Sequence, residues 1–193
     1  MSLKNGTLSK DQQLKKPKMN QETYSIFKDI SKKHKEREVG KICQCILALT
    51  FIEIGYQPEK ITVNLVEGVD LILEGDSKYA IEVKTTNKNK ITVGEKDLGE
   101  LSKYKENGYI SVLCALKIDL GGEWKLINPE RLKRKSTWKF NELYTDIEFK
   151  ELEKNINEIF EKKVKANAIE IRDKGLSYLI GILKKEGIKH SGG

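Results

Sequence analysis

Two carboxylates and an amine are spaced in this sequence so that a β-hairpin would bring them together. Asp70 begins an apolar run, and twelve residues later Glu82 and Lys84 stand in a second, alternating run. Because side chains two apart in a strand point to the same face, Glu82 and Lys84 share one face of that strand. A turn at Gly75 and Asp76 would pair the two strands and set Asp70 beside Glu82.

Such a group favours one kind of chemistry. Two adjacent carboxylates repel each other unless a hard cation neutralises them. Mg²⁺ is commonly held by one or two carboxylates while it keeps several waters. A lysine beside that ion can hold or deprotonate an attacking water and offset the charge that grows on phosphorus. The pattern is therefore suited to metal-dependent hydrolysis of a phosphodiester.

The context of the Glu-x-Lys triplet matters more than the triplet itself. The triplet occurs four times, about as often as the 21 Glu and 32 Lys predict by chance. Only the one at Glu82 combines a strand pattern with an Asp about a dozen residues earlier, and Asp is scarce, with eight in the chain. A surface ion trio on a hairpin is the alternative without a function.

The apolar periodicity predicts the elements that would position these residues. Residues 21–56 have helical periodicity, as one helix or as two that meet near residues 31–35. The remaining predictions are strands at residues 61–66, 69–73, 79–85, 109–117 and 123–127, and helices at 95–107, 149–164 and 177–185. This order predicts an α/β fold with a central mixed β-sheet flanked by helices.

Composition narrows the class of protein. The 193 residues include 36 Lys and Arg against 29 Asp and Glu, a formal charge of +7. No run of eighteen apolar residues occurs, which excludes a transmembrane helix, and the polar, Lys-rich N-terminus predicts no secretory signal. Three Cys do not make a disulfide framework, so we expect a cytoplasmic location.

The positive charge is concentrated in two places. Residues 1–40 and residues 131–139 each carry a net charge of about +5. Basic segments on both sides of a small acidic centre suit a phosphate-binding rim around a metal site. Solvated lysine-rich tails are the alternative interpretation.

The hairpin pattern behind an N-terminal helix resembles the core of PD-(D/E)xK nucleases, although Val69 stands where that motif has Pro. Neighbouring segments resemble the archaeal Holliday-junction resolvases within that superfamily. These segments are Lys-Glu-Arg-Glu-Val at 35–39, Lys-Tyr-Ala-Ile-Glu-Val-Lys at 78–84, Val-Gly-Glu-Lys-Asp-Leu-Gly-Glu-Leu at 93–101, and the strand pair at 112–117 and 124–127.

The resemblance covers about residues 35–128 and implies a restriction-endonuclease-like fold. It divides the chain into a basic N-terminal arm or extra helix at residues 1–30, a nuclease core at 31–130 and a C-terminal helical extension at 131–193. The last sixty residues have no counterpart in these resolvases that we can place.

The resemblance also implies roles at the hairpin. Asp70 and Glu82 would bind the metal together with the backbone carbonyl of Val83, and Lys84 would serve the attacking water. The implied metal is Mg²⁺, for which Mn²⁺ is expected to substitute.

On the first helix, Glu36 would be a further catalytic carboxylate and metal ligand, with Lys35 and Arg37 contacting phosphate. Glu38 and Glu53 are the alternatives for the helix carboxylate. Glu36 is otherwise an ordinary acid at a helix N-terminus, stabilised there by the helix dipole.

The polar segment after the catalytic strand also has two interpretations. Thr85, Thr86, Lys88 and Lys90 could donate to DNA phosphates, or they could form a plain exposed loop. Tyr104, on the second helix, could pack at a dimer interface or in the core of its own subunit.

Together these features predict a Mg²⁺-dependent endonuclease that cuts branched DNA as a homodimer, in DNA recombination and repair. A twofold dimer suits a four-way junction because it presents two sites to opposing strands. The alternatives are a type II restriction-type or other DNA-repair endonuclease on the same core, and a non-catalytic DNA-binding module. The complete Asp70, Glu82 and Lys84 set argues against the last.

Overall fold

The computed structural model describes residues 21–118, 123–134 and 136–191. The helices are α1 (Gln21–Lys33), α2 (Glu36–Ile54), α3 (Glu95–Glu106), α4 (Lys150–Ala166), α5 (Ala168–Lys174) and α6 (Leu176–Glu186). The strands are β1 (Ile61–Asn64), β2 (Leu71–Leu73), β3 (Tyr79–Thr86), β4 (Lys90–Thr92), β5 (Ile110–Lys117), β6 (Lys125–Ile127), β7 (Thr137–Lys139) and β8 (Lys189–Ser191).

Within the basic arm expected at residues 1–30, residues 1–20 lie outside the described part of the chain, and the rest belongs to α1. In the described ranges, no helix combines the length and the apolar character that a membrane span requires.

A six-stranded sheet in the order β6-β5-β3-β2-β1-β8 forms the centre of the fold. Strands β1, β2 and β3 pair antiparallel, β5 lies parallel to β3, and β6 returns antiparallel along β5. Strand β8 pairs parallel with β1 at the far edge. The sheet is therefore mixed and flanked by helices, which confirms the predicted restriction-endonuclease-like architecture. Strands β4 and β7 form a separate two-stranded ribbon.

Both faces of the sheet are covered, as the alternation along β5 makes clear. Val112, Cys114 and Leu116 turn to the core that α2 fills, whereas Leu113 and Ala115 turn to a smaller core beside α3. Helix α2 is buried over most of its length because the sheet lies on one side of it and helices α4 and α6 on others. Its C-terminus is a glycine with left-handed backbone, at Gly55.

The C-terminal helices belong to this main core. The apolar stripes of α4 and α6 are fully buried with α1 and α2, and they comprise Ile156, Phe160, Val164, Leu179 and Leu183. Phe160 links three elements, since its ring stacks on Phe27 of α1 and meets the edge of Trp124 beside β6. The helices predicted from their stripes thus complete the scaffold on which α2 is held.

Replacing Phe160 tests whether the C-terminal helices are structurally part of the core. Phe160→Ala should lower the free energy of unfolding by about 3–5 kcal/mol, because the cavity lies between α1, α4 and Trp124. Ile169→Ala is the control, since Ile169 is 67% exposed and should change stability by about 0.5 kcal/mol or less. Urea unfolding measures both, and equal stabilities would contradict a shared core.

Candidate active site

The hairpin pairs in the register that the turn predicted. Leu71 lies opposite Ile81, and the two pairs that follow keep this register. Extending it by one residue places Asp70, just before β2, next to Glu82 of β3. Ile81 is buried in the main core, so Glu82 and Lys84 project from the other face. The amine of Lys84 donates to Oε1 of Glu82 at 2.7 Å. The predicted pairing of the two strands is confirmed.

Asp70 is held by the backbone of the neighbouring strand. Its Oδ2 accepts the N–H of Val83 at 2.7 Å. Ladder pairing with β2 ends at Leu71, so the carboxylate satisfies a backbone donor that a continuing strand would have taken. Because the N–H and C=O of one strand residue point towards the same neighbour, the carbonyl of Val83 also faces the Asp70 side.

The loop before Asp70 is fixed by a buried amide. Gln44 of α2 donates through Nε2 to the carbonyls of both Asn64 and Asp70, each at 2.8 Å. Asn64 in turn donates through Nδ2 to the carbonyl of Val69 at 2.7 Å. Gly68 supplies the positive φ of +90° that the turn requires. Both ends of the loop are thereby tied to α2, and the position of Asp70 follows from these bonds.

A third acid, not anticipated from the sequence, completes the surroundings of Lys84. This acid is Asp97, whose Oδ2 lies 2.7 Å from the amine of Lys84, the same distance as Oε1 of Glu82. The same Asp97 oxygen accepts the N–H of Gly94 and so caps the N-terminus of α3. Asp97 stands three residues after Gly94, where the acid of a capping box would stand, and this spacing was the signal available in the sequence.

Burial and mutual repulsion control the ionisation of the acid pair. Burial raises the pKa of Asp70 to about 6, although the Val83 N–H and Lys84 oppose the shift. Burial and the neighbouring charge of Asp70 raise the pKa of Glu82 to about 7. Burial alone would lower the pKa of Lys84, but Glu82 and Asp97 outweigh it and the pKa is raised. The site therefore keeps the Lys84 amine protonated, while Asp70 and Glu82 ionise less readily than exposed carboxylates do.

An open cleft of about 330 Å³ gives access to this group. It lies between the start of α2, the loop at residues 65–68 and strand β3, and Arg37 and Lys41 line it on the helix side. Helix α2 approaches β3 closely at Gly40, where a Cβ would come within 3.2 Å of the Thr85 hydroxyl. A basic wall therefore faces the acid pair across a gap open to solvent.

The structure does not bring the helix acids to this pair. Glu36 is exposed at the first position of α2 and is not among the residues that line the cleft. Glu38 accepts the N–H of Leu176 at the start of α6 and lies 3.1 Å from His34, so it is engaged elsewhere. Glu53 pairs with Lys163 of α4 near the other end of the helix.

The predicted DNA contacts lie on both sides of the cleft. Lys35 is exposed before α2. Thr85 is half-buried against α2, and Thr86 is buried, with its hydroxyl accepting the N–H of Lys88 at 2.9 Å. Lys88 and Lys90 are exposed, and Lys90 lies in β4, so the segment expected to be a loop contains a strand.

Tyr104 packs within its own subunit. Its ring meets that of Tyr109 edge to face at 5.2 Å between centroids, and both rings pack on a third apolar cluster that includes Leu101 of α3. Of the two interpretations of Tyr104, this contact supports the intramolecular one.

The acid pair has the chemistry of a Mg²⁺ site. In the described ranges, no three His, Cys, Asp or Glu side chains converge as a ligand set. Mg²⁺ needs fewer, because it is held by one or two carboxylates and keeps several waters. Asp70 and Glu82 supply two hard oxygen ligands whose pKa values are raised mainly by burial, which Lys84 offsets only in part. These residues fit the ion.

The raised pKa values predict how stability depends on pH in EDTA. Between about pH 4 and 7, the two acids stay protonated in the folded chain but are ionised in the unfolded chain. The free energy of unfolding should therefore fall as the pH rises through this range. At pH 8, Asp70→Asn should be more stable than the native chain by about 1–3 kcal/mol, because it removes one buried charge.

Urea unfolding at pH 5 and pH 8 tests this, with Asp76→Asn on the exposed turn as the control. Mg²⁺ should restore stability to the native chain at pH 8 and leave Asp70→Asn unchanged. If Asp70→Asn instead lowers the free energy of unfolding equally at both pH values, the predicted repulsion between the two carboxylates is contradicted.

Comparison with known protein families gives a match. The family model described as archaeal Holliday junction resolvase (Hjc) matches residues 69–164, about half of the chain. The match includes Asp70, Glu82, Lys84 and Asp97 and begins after α2. No curated protein matches the sequence. By the match over residues 69–164, the chain belongs to the archaeal Holliday junction resolvase family, a family of nucleases that act in DNA recombination and repair.

Proposed function

We propose that this protein is a Mg²⁺-dependent endonuclease of the PD-(D/E)xK type that hydrolyses phosphodiesters in branched DNA. The observation that supports it best is the pair of Asp70 and Glu82, largely withdrawn from water, with Lys84 bound to Glu82 at an open basic cleft. Membership of the resolvase family supports a branched substrate.

In this proposal, Asp70, Glu82 and the carbonyl of Val83 would hold Mg²⁺, which when bound would supply Lewis acidity at the phosphate. Mn²⁺ is expected to substitute for it. Glu36 is not required as a ligand, because it lies outside the cleft.

The chain's own side chains bind the attacking water and the phosphate. Lys84 remains protonated between Glu82 and Asp97, so it donates to the attacking water or to a phosphate oxygen and offsets charge on phosphorus. Arg37 and Lys41 orient the phosphate from the helix side. The water oxygen bonds to phosphorus in line with the 3′ oxygen while the bond from phosphorus to that oxygen breaks. The water gives up one proton to solvent and the departing oxygen takes one up, so the products are a 5′-phosphate and a 3′-hydroxyl.

The proposal includes a homodimer, since a four-way junction has near-twofold symmetry and two sites can then nick opposing strands. Binding relies on backbone charge and branch shape, so it should depend strongly on salt.

Removing a site residue should separate cleavage from binding. Asp70→Asn and Lys84→Ala should each slow cleavage of a four-way junction by about 10²–10⁴-fold in Mg²⁺ while junction binding survives. Asp76→Asn is the matched carboxylate control, because Asp76 is exposed on the turn of the same hairpin. Single-turnover cleavage assays measure the rates. A native rate in either site variant would show that the site is misassigned.

A substrate panel distinguishes this proposal from a type II restriction-type enzyme on the same core. The apolar stripes of α4 and α6 are buried in the scaffold, which favours support over base reading. Junction, flap and linear duplex DNA compared at equal salt should therefore give cleavage of the branched substrates only. Preferred cutting of a linear duplex at a defined sequence would support the restriction-type alternative, and binding without cutting would support a non-catalytic module.

A further inference from the structure

We infer that the exposed face of the ribbon formed by β4 and β7 is a second phosphate-binding surface, for the DNA arm that leaves the cleft. This inference deepens the proposed function and rests on it. Besides Lys90, the residues that would contact the DNA phosphates are Thr92, Thr137 and Lys139.

The register of the ribbon places two like charges against each other. Lys90 lies directly opposite Lys139, and Thr92 lies opposite Thr137. All four side chains are exposed and share one face, because residues two apart in a strand point the same way. Like charges directly opposite in an antiparallel pair destabilise it. The repulsion between Lys90 and Lys139 therefore lowers the stability of the folded chain, and a bound polyanion would neutralise it.

Within the described part of the chain, neither lysine has the kind of acid partner that some helical surface lysines of this protein have. Lys165 and Lys174 pair with acids one helical turn away, Glu161 and Glu170. Among the residues that the structure describes, no ion pair involves the side chain of Lys90 or Lys139. The carboxylate of Glu142 accepts the backbone N–H of Lys139, which leaves the amine of Lys139 for another partner.

The opposite face anchors the ribbon firmly. Ile91 is buried in the small core beside α3, and Trp138 packs against the same core. Backbone bonds extend the pairing at both ends, from Val93 to Ser136 at 2.8 Å and from Phe140 to Asn89 at 2.9 Å. The basic face is thus a fixed surface on a packed support.

The ribbon also lies within reach of the scissile phosphate. Lys90 is six residues after Lys84 in one continuous segment. Six residues span at most about 20 Å of extended chain. Because consecutive phosphates along one DNA strand are several ångströms apart, the ribbon would contact phosphates of the same arm, a few nucleotides from the cut.

Salt dependence of binding tests the inference directly. The full-length chain with Asp70→Asn, in EDTA, is titrated with a four-way junction at several salt concentrations. Adding Lys90→Gln and Lys139→Gln should reduce the slope of log affinity against log salt by about two, because two phosphate contacts are lost. Lys184→Gln with Lys185→Gln removes the same charge from the exposed end of α6 and should leave the slope unchanged.

Charge reversal gives a second, independent readout. Lys139→Glu should weaken junction binding more than Lys139→Gln and raise Tm by about 1–3 °C, because it turns a repulsive pair into an attractive one. If the ribbon variants keep the slope of the control, the inference is wrong although the proposed function stands. If the Asp70→Asn chain binds no DNA at low salt, the proposed function itself is wrong.

Discussion

The repulsion between two buried carboxylates, Asp70 and Glu82, is the constraint on which the rest of this structure depends. Both side chains resist ionisation because they are largely removed from water, and the charge of Asp70 raises the pKa of Glu82 further. A single amine, that of Lys84, lies between Glu82 and Asp97 and offsets only part of this charge. A folded protein that keeps such an arrangement gives up stability at a site where a divalent cation would restore it.

Much of the surrounding fold holds that pair in place. The Val83 N–H fixes one Asp70 oxygen, and Gln44 ties the preceding loop to α2. Asp97 connects Lys84 to the start of α3 through its cap on Gly94. Helix α2 in turn is held by the C-terminal helices, whose apolar stripes share its core. Residues far along the chain therefore act on the site by positioning helix α2 and the strands beside it.

The sequence could predict the part of the site that depends on local rules. Strand alternation set Glu82 and Lys84 on one face, and the turn at Gly75 set the register that brings Asp70 to them. Apolar periodicity likewise predicted the long helices.

The features that sequence reasoning missed depend on tertiary contacts or on very short elements. Strands β4, β7 and β8 have three residues each with at most one apolar residue, whereas the equally short β2 and β6 lie in apolar runs. Asp97 acts through a capping bond that only the folded chain brings to Lys84. Helix acids could not be ranked, because which one faces the cleft depends on how α2 packs, and the structure engages Glu38 and Glu53 elsewhere.

Anomalous diffraction from crystals of the full-length chain soaked in Mn²⁺ is the most direct test of the central claim. We predict a strong anomalous peak in contact with the carboxylates of Asp70 and Glu82, and its loss in crystals of Asp70→Asn. Crystals with Mn²⁺ bound only at other positions, while these two side chains stay together without it, would contradict the account.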